Sequence, residues 1–119
     1  MNIETLRDYC LQKKGVSEGF PFDESTLVFK VGGKMFLLTG LDKEFSINVK
    51  CDPEKAIELR EKYSCVLPGY HMNKKHWNTI KIDESIPDNL LFKWIDNSYS
   101  LVLKSLGKKN VEEILKGEL

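Results

Sequence analysis

The chain has 119 residues, 41% of them apolar and 30% charged, with eighteen basic side chains against eighteen acidic ones. That length fits one domain around one core, and the composition argues against disorder or a fibrous repeat. The longest uncharged apolar runs, such as Met35 to Leu38, fall far short of the ~20 residues a membrane-crossing helix needs. Glu4, Arg7 and Asp8 interrupt any secretory leader.

Asn2 is placed to cap a first helix with Ile3, Leu6 and Cys10 on one face, and Lys13-Lys14-Gly15 supplies a basic last turn and a stop. From Gly15 to Ser25 the glycines and Pro21 predict a loop, tied down by Phe20 and Phe22. Leu27, Phe29 and Val31 alternate, Gly32-Gly33 intervenes, and Met35 to Leu41 runs apolar, which predicts a tight hairpin. After Asp42 to Glu44, the alternation of Phe45, Ile47, Val49 and Cys51 predicts a third antiparallel strand, half-buried.

Asp52 before Pro53 predicts the cap and first position of a second helix reaching about Tyr63, with Ala56, Leu59 and Tyr63 inward. Pro68-Gly69 breaks the chain, and Trp77 to Ile82 reads as a strand with Ile80 and Ile82 on the core side. Ser85 with Asp88 predicts a capping-box variant for a long helix whose stripe is Leu91, Trp94, Ile95, Ser98, Leu101 and Val102. Gly107 ends it, and Asn110 to Gly117 is expected to form a short terminal helix. The expected fold class is α+β, with a domain over residues 1–107 and a helical extension over 108–119.

Cys10, Cys51 and Cys65 are an odd set without a Cys-x-x-Cys pair, so a reducing, cytoplasmic setting is expected. Balanced charge means that any attraction to a polyanion must come from local placement. The segment Val66 to Ile82 supplies such a placement. It contains Lys74, Lys75 and Lys81, His71 and His76, Tyr70 and Trp77, and no carboxylate. Clustered ammonium groups attract phosphate, aromatic rings stack on bases, and Asn73, Asn78 and Thr79 add hydrogen-bonding groups. Lys30 and Lys34 flank the Gly32-Gly33 turn and form a second basic tip.

The bland alternative is that lysines flank turns because turns are solvated. Trp77 shares a strand face with Thr79 and Lys81, the polar side, unless the C-terminal helix covers its ring. Cys51, Cys65, His71 and His76 are separated by thirteen, five and four residues, which matches no closed zinc site, so no metal or other cofactor is expected. A serine elbow and a phosphate-cradling glycine loop are both missing. An unfamiliar active site would have to assemble from Tyr70, His71, His76 and a distant carboxylate such as Asp23, so the expectation is a protein that is not an enzyme.

The run Pro68-Gly69-Tyr70-His71-Met72-Asn73-Lys74-Lys75-His76-Trp77-Asn78-Thr79 closely resembles the signature of the MmcQ/YjbR family of small bacterial proteins. Leu27 to Phe36 looks like that family's first hairpin, and Asn48 to Glu54 like its strand-to-helix junction. The resemblance reaches about Gly107. It implies a fold similar to the bacterial frataxin CyaY, an antiparallel sheet with N- and C-terminal helices packed on one face, and a DNA-binding role through paired hairpin wings. Carried onto this sequence, that role falls to Lys30, Lys34, Lys74 and Lys75, with His71, Asn73, His76 and Trp77 nearby. The expected partner is double-stranded DNA, with no membrane, and a monomer is slightly favoured. Iron binding by an acidic ridge does not carry over, since the first helix offers only Glu4 and Asp8 ahead of Lys13 and Lys14. The competing expectation is an adaptor or ligand-binding domain with a pocket lined by Tyr70, His71, Asn73, His76 and Trp77.

Overall fold

A computed structural model describes residues 1–117 as α1 (Ile3–Leu11), β1 (Val16–Gly19), β2 (Thr26–Val31), β3 (Lys34–Gly40), β4 (Ser46–Lys50), α2 (Pro53–Lys62), β5 (Val66–Pro68), β6 (Trp77–Lys81), α3 (Asp88–Ser105) and α4 (Lys108–Leu115). The strands form one antiparallel sheet in the order β1-β2-β3-β4-β6-β5. Leu27, Phe29 and Val31 of β2, Ile47 and Val49 of β4 and Ile80 of β6 point to one face. There they share a core with Leu6 and Cys10 of α1, Ala56 and Leu59 of α2, Leu91 and Ile95 of α3, and Ile114 of α4. All four helices therefore cover the same side of the sheet, as the α+β expectation required.

Local chemistry explains the elements that the sequence announces. Gly32 and Gly33 adopt φ of 56° and 83°, a region open to glycine, and the turn sets Val31 opposite Lys34 and Lys30 opposite Met35. The Asn2 carboxamide accepts from Thr5 N at 2.8 Å, and the Asp52 carboxylate accepts from Glu54 N at 3.1 Å. Phe36 is the extra residue of a bulge between β2 and β3. Its carbonyl accepts from the fully buried Ser98 hydroxyl at 2.6 Å, and the Ser98 hydroxyl oxygen in turn accepts from Lys50 N at 2.8 Å. One serine on α3 thus satisfies two backbone groups that the irregular ladder leaves open.

Four expectations need correction. The Gly15–Ser25 stretch contains the edge strand β1, and Phe20 and Phe22 lie exposed. What ties the loop is the Asp23 carboxylate, which accepts from Ser25 N at 2.9 Å and Thr26 N at 2.6 Å and is held below the usual carboxylate range by those bonds. Ser85 does not cap α3; its amide donates to Asp83 at 3.0 Å, and Pro87, which has no side-chain acceptor, sits at the cap. Residues 66–68 form β5, which pairs with β6. The terminal helix starts at Lys108, directly after Gly107 at φ 89°, and the last two residues of the expected extension lie outside the described residues. Among the described residues no helix is long and apolar enough to cross a membrane.

Candidate nucleic-acid interface

Strand directions place both predicted tips at one end of the sheet. β2 and β5 run toward that end and β3 and β6 run away from it, so the Gly32-Gly33 turn and the 69–76 connection emerge side by side. Between their midlines lie three strand spacings, roughly 14 Å at the usual separation of ~4.8 Å. The two turns carry Lys30, Lys34, Lys74 and Lys75 and no carboxylate. At the opposite end, loops 20–25, 41–45 and 82–87 carry Asp23, Glu24, Asp42, Glu44, Asp83 and Glu84 against Lys43 alone. The carboxylates at the lysine end belong to helices, with Asp52 and Glu54 at the start of α2 and Glu112 and Glu113 in α4. The loops of a chain with zero net charge are therefore sorted by charge along the strand direction.

Each tip lysine has its own surroundings. Lys30 is half-buried and shares the open face with Met35, whereas Lys34 is exposed and shares the helix side with Val31. The two thus leave opposite faces of one hairpin. Lys75 is exposed, and the Lys74 ammonium folds back to donate to Gly69 O at 3.1 Å. Asn73 is structural. Its carboxamide oxygen accepts from Lys75 N at 2.9 Å, and its carbonyl accepts from His76 N and Trp77 N at 3.3 and 3.0 Å. The His76 carbonyl accepts from Cys51 N at 2.7 Å, which fastens the loop to the end of β4. His71 is exposed at φ 58°, its ring 4.0 Å from that of Tyr70.

Trp77 does face the polar side of the sheet, as alternation predicts, but only 8% of it is exposed. Its cover comes from the open face itself, where Val28, Leu38, Met35 and Met72 surround it, and not from the C-terminal helix. Met72 reaches over from the same loop that Trp77 terminates. The indole therefore anchors the loop and has no free face on which a base could stack. Gly69 makes this closure possible, because a β-carbon there would come within 2.8 Å of Trp77 Cβ and 3.0 Å of Met72 Cβ.

The residue that sequence reasoning missed is Arg60 of α2. Its Nε donates to the Asn78 carboxamide oxygen at 2.6 Å, and its Nη2 donates to the carbonyls of Trp77, at 3.2 Å, and Lys74. Asn78 is itself buried and donates to Ala56 O at 3.3 Å. One guanidinium thus holds the whole 74–78 stretch against the helix. A usable signal existed, since the chain has sixteen lysines and two arginines, and a planar fork is retained where several acceptors must be met together.

Below the loop, the open face forms a groove of about 860 Å³ lined by Leu38, Asn48, Leu67, Tyr70, His71 and Met72 among others. His71, Tyr70 and Asn73 line it; His76 and Trp77 do not. Asn48 and Thr79 on its floor are hydrogen-bonded to each other, and Tyr70 N donates to the same Thr79 hydroxyl at 2.9 Å. Cys51 and Cys65 are buried on the helix side, away from the exposed His71, and among the described residues no three His, Cys, Asp or Glu side chains gather as metal ligands.

The loop anchored by Trp77 under Met72 and Arg60 lies within the stretch that the YjbR family model matches, residues 11–101. The chain belongs to the YjbR family. It is 37% identical over 115 residues to the uncharacterized protein YbdF of Escherichia coli O157:H7, covering 96% of this chain and 94% of that protein. It is 32% identical over 107 residues to the uncharacterized protein YjbR of Escherichia coli K12, covering 89% and 91%. The crystal structure of Deinococcus radiodurans protein DR2400 superimposes with a TM-score of 0.89 at 38% identity, over 97% of this chain and 88% of that one. The YjbR fold thus extends past the matched segment to α4.

Proposed function

We propose that this YjbR protein is a non-enzymatic domain that binds double-stranded DNA by its phosphate backbone, using the two hairpin tips. The observation that carries this reading is the sorting of charge: four lysines and no carboxylate in two adjacent turns, and six carboxylates in the loops at the far end. Such an arrangement turns a neutral molecule toward a polyanion. Lys30 and Lys34, on opposite faces of one tip, suit a hairpin that enters a groove edge-on and meets a phosphate strand on either side. The separation of the tips, roughly 14 Å, is close to the ~12 Å width of the major groove. Trp77, His76 and Asn73 serve in this reading as the frame of the second tip and not as base contacts, so binding is expected to be indifferent to sequence.

The test is a salt series with duplex DNA. Four phosphate contacts give a slope of about −3.6 for log affinity against log salt, or a loss on the order of 100-fold between 50 and 200 mM. Lys74→Ala with Lys75→Ala should lower the slope to about −1.8. Undetectable binding at low salt sinks the proposal, as does a slope that the double variant leaves unchanged. A second reading, a ligand-binding domain, is favoured by the groove on the open face, to which Tyr70, His71 and Met72 contribute. Amide resonances tell the two apart: DNA should move residues 30–34 and 69–76, whereas a groove ligand should move Leu38, Asn48 and Leu67.

A further inference from the structure

A second concavity lies on the helix side of the sheet, between α2 and α3, with a volume of about 540 Å³. α1 closes against α3 by stacking Tyr9 on Phe92 with centroids 4.0 Å apart. α2 meets α3 through Tyr63 and Trp94, edge to face at 5.2 Å. Above Val49 and Ile80 the two helices leave a cleft, walled by Leu59 and Tyr63 on one side and Leu90 and Trp94 on the other. Its rim carries Lys55, Lys62 and Lys93 against Glu58 alone. Lys55 and Glu58 pair at 3.6 Å, while Lys62 and Lys93 have no ion-pair partner among the described residues. Lys62 sits at the end of α2 and Lys93 in the second turn of α3, and these stretches run beside the Tyr63–Trp94 contact.

We propose that this cleft binds a small anionic amphiphile, with its carboxylate between Lys62 and Lys93 and its apolar body over Val49, Leu59, Ile80 and Trp94. The apolar floor offers nothing to a fully hydrated anion such as phosphate. An excess of ammonium on the rim disfavours a cation, and a neutral chain would leave that charge unused. The volume falls within the roughly 300–1,000 Å³ of small-molecule sites. This site uses none of the hairpin lysines and stands independently of the DNA-binding reading.

The two tryptophans make the test direct, because Trp94 lines this cleft and Trp77 lies on the opposite face of the sheet. Decanoate, kept below its micelle-forming concentration, is titrated into the ¹⁵N-labelled full chain, and both indole N–H resonances are followed. The expected result is a saturable shift of the Trp94 indole with Trp77 unmoved, and at least tenfold weaker binding of decanol. Lys62→Gln with Lys93→Gln, both exposed positions, should weaken decanoate at least tenfold while the remaining spectrum stays that of the folded protein. The proposal is overturned by the absence of saturation, by a shift of Trp77 in place of Trp94, or by equal affinity for decanoate, decanol and decylammonium. A Trp94 shift that tracks protein concentration without decanoate also overturns it, since a second copy would then occupy the cleft.

Discussion

Replacing Arg60 with methionine keeps the length and apolar stem of the side chain and removes its hydrogen bonds. The Asn78 carboxamide oxygen, on a residue 1% exposed, loses its donor, as does the Lys74 carbonyl, while the Trp77 carbonyl loses one of two and keeps the bond from Gly69 N at 2.9 Å. The Lys74 carbonyl is exposed and can be rehydrated at small cost, and the Trp77 carbonyl keeps its Gly69 donor, so the Asn78 oxygen dominates, at about 1–3 kcal/mol. Some loss of loop ordering adds to this, and the expected total is about 2.5 kcal/mol. With an unfolding entropy of roughly 2.1 cal/mol/K per residue, that is a fall in Tm of about 10 °C. Urea unfolding followed by far-ultraviolet dichroism gives the stability. Amide exchange of His76 and Trp77, both bonded to Asn73 O, reports the loop. Arg60→Lys should recover less than half of the loss, because one ammonium cannot serve three acceptors in a fixed fork. A change below about 0.5 kcal/mol with unaltered exchange, the range of an ordinary surface substitution, would refute the assignment of Arg60 as the clamp of the 69–77 loop.

Gly69→Ala puts a methyl group 2.8 Å from Trp77 Cβ and 2.9 Å from its carbonyl oxygen, and calorimetry should record a loss of about 1–3 kcal/mol, as for overpacking elsewhere. Ser98→Ala deprives Phe36 O of its donor and Lys50 N of its acceptor at a fully buried site; denaturant titration should show a loss of about 2–4 kcal/mol. Burial pushes the Cys10 thiol up to about 12, and the Tyr9 phenol is pushed up to about 12 by burial and by its bond to Asp96. Folded values above unfolded ones contribute stability that is whole below the unfolded pKa and fades as pH rises toward 12. Stability should therefore begin to fall above about pH 9, the region where an unfolded thiol ionises. Tyr9→Phe should flatten the part of that fall above about pH 10, the ordinary tyrosine value, in a series of urea melts.

The parts of the fold that were legible are those whose instructions are local. Gly32-Gly33 between alternating runs fixes a hairpin, and Asp52-Pro53 fixes a helix start, whatever the rest of the chain does. The edge strand β1 was not legible, because four residues with Val16 as the single large apolar side chain acquire strand geometry only by pairing with β2. The cap of α3 failed for a related reason. Ser85 had a nearer claim on it from Asp83, an Asx-type turn that competes with helix initiation. In the candidate site, the clustering of both basic tips at one end required the strand order, which brings β6 beside β4. The opposite faces of Lys30 and Lys34 could have been read from the two-residue turn, since it dictates that Val31 and not Lys30 faces Lys34. The burial of Trp77 rests on Met72, five positions upstream, which no periodicity connects to it.

The boundary at Gly107 is a break in the sequence pattern but not in the packing. Ile114, near the end of the chain, closes against Gly15 and Gly32, where added β-carbons would meet its side chain at 2.7 and 3.2 Å. Gly32 N also donates to Gly15 O at 3.4 Å. Helix α4 is therefore a clasp of the Gly32-Gly33 turn, together with Leu106, whose side chain an added β-carbon on Gly32 would meet at 2.5 Å. The tip carrying Lys30 and Lys34 is thus braced from the helix side by residues far along the sequence, so its stiffness belongs to the closed fold and not to the hairpin alone.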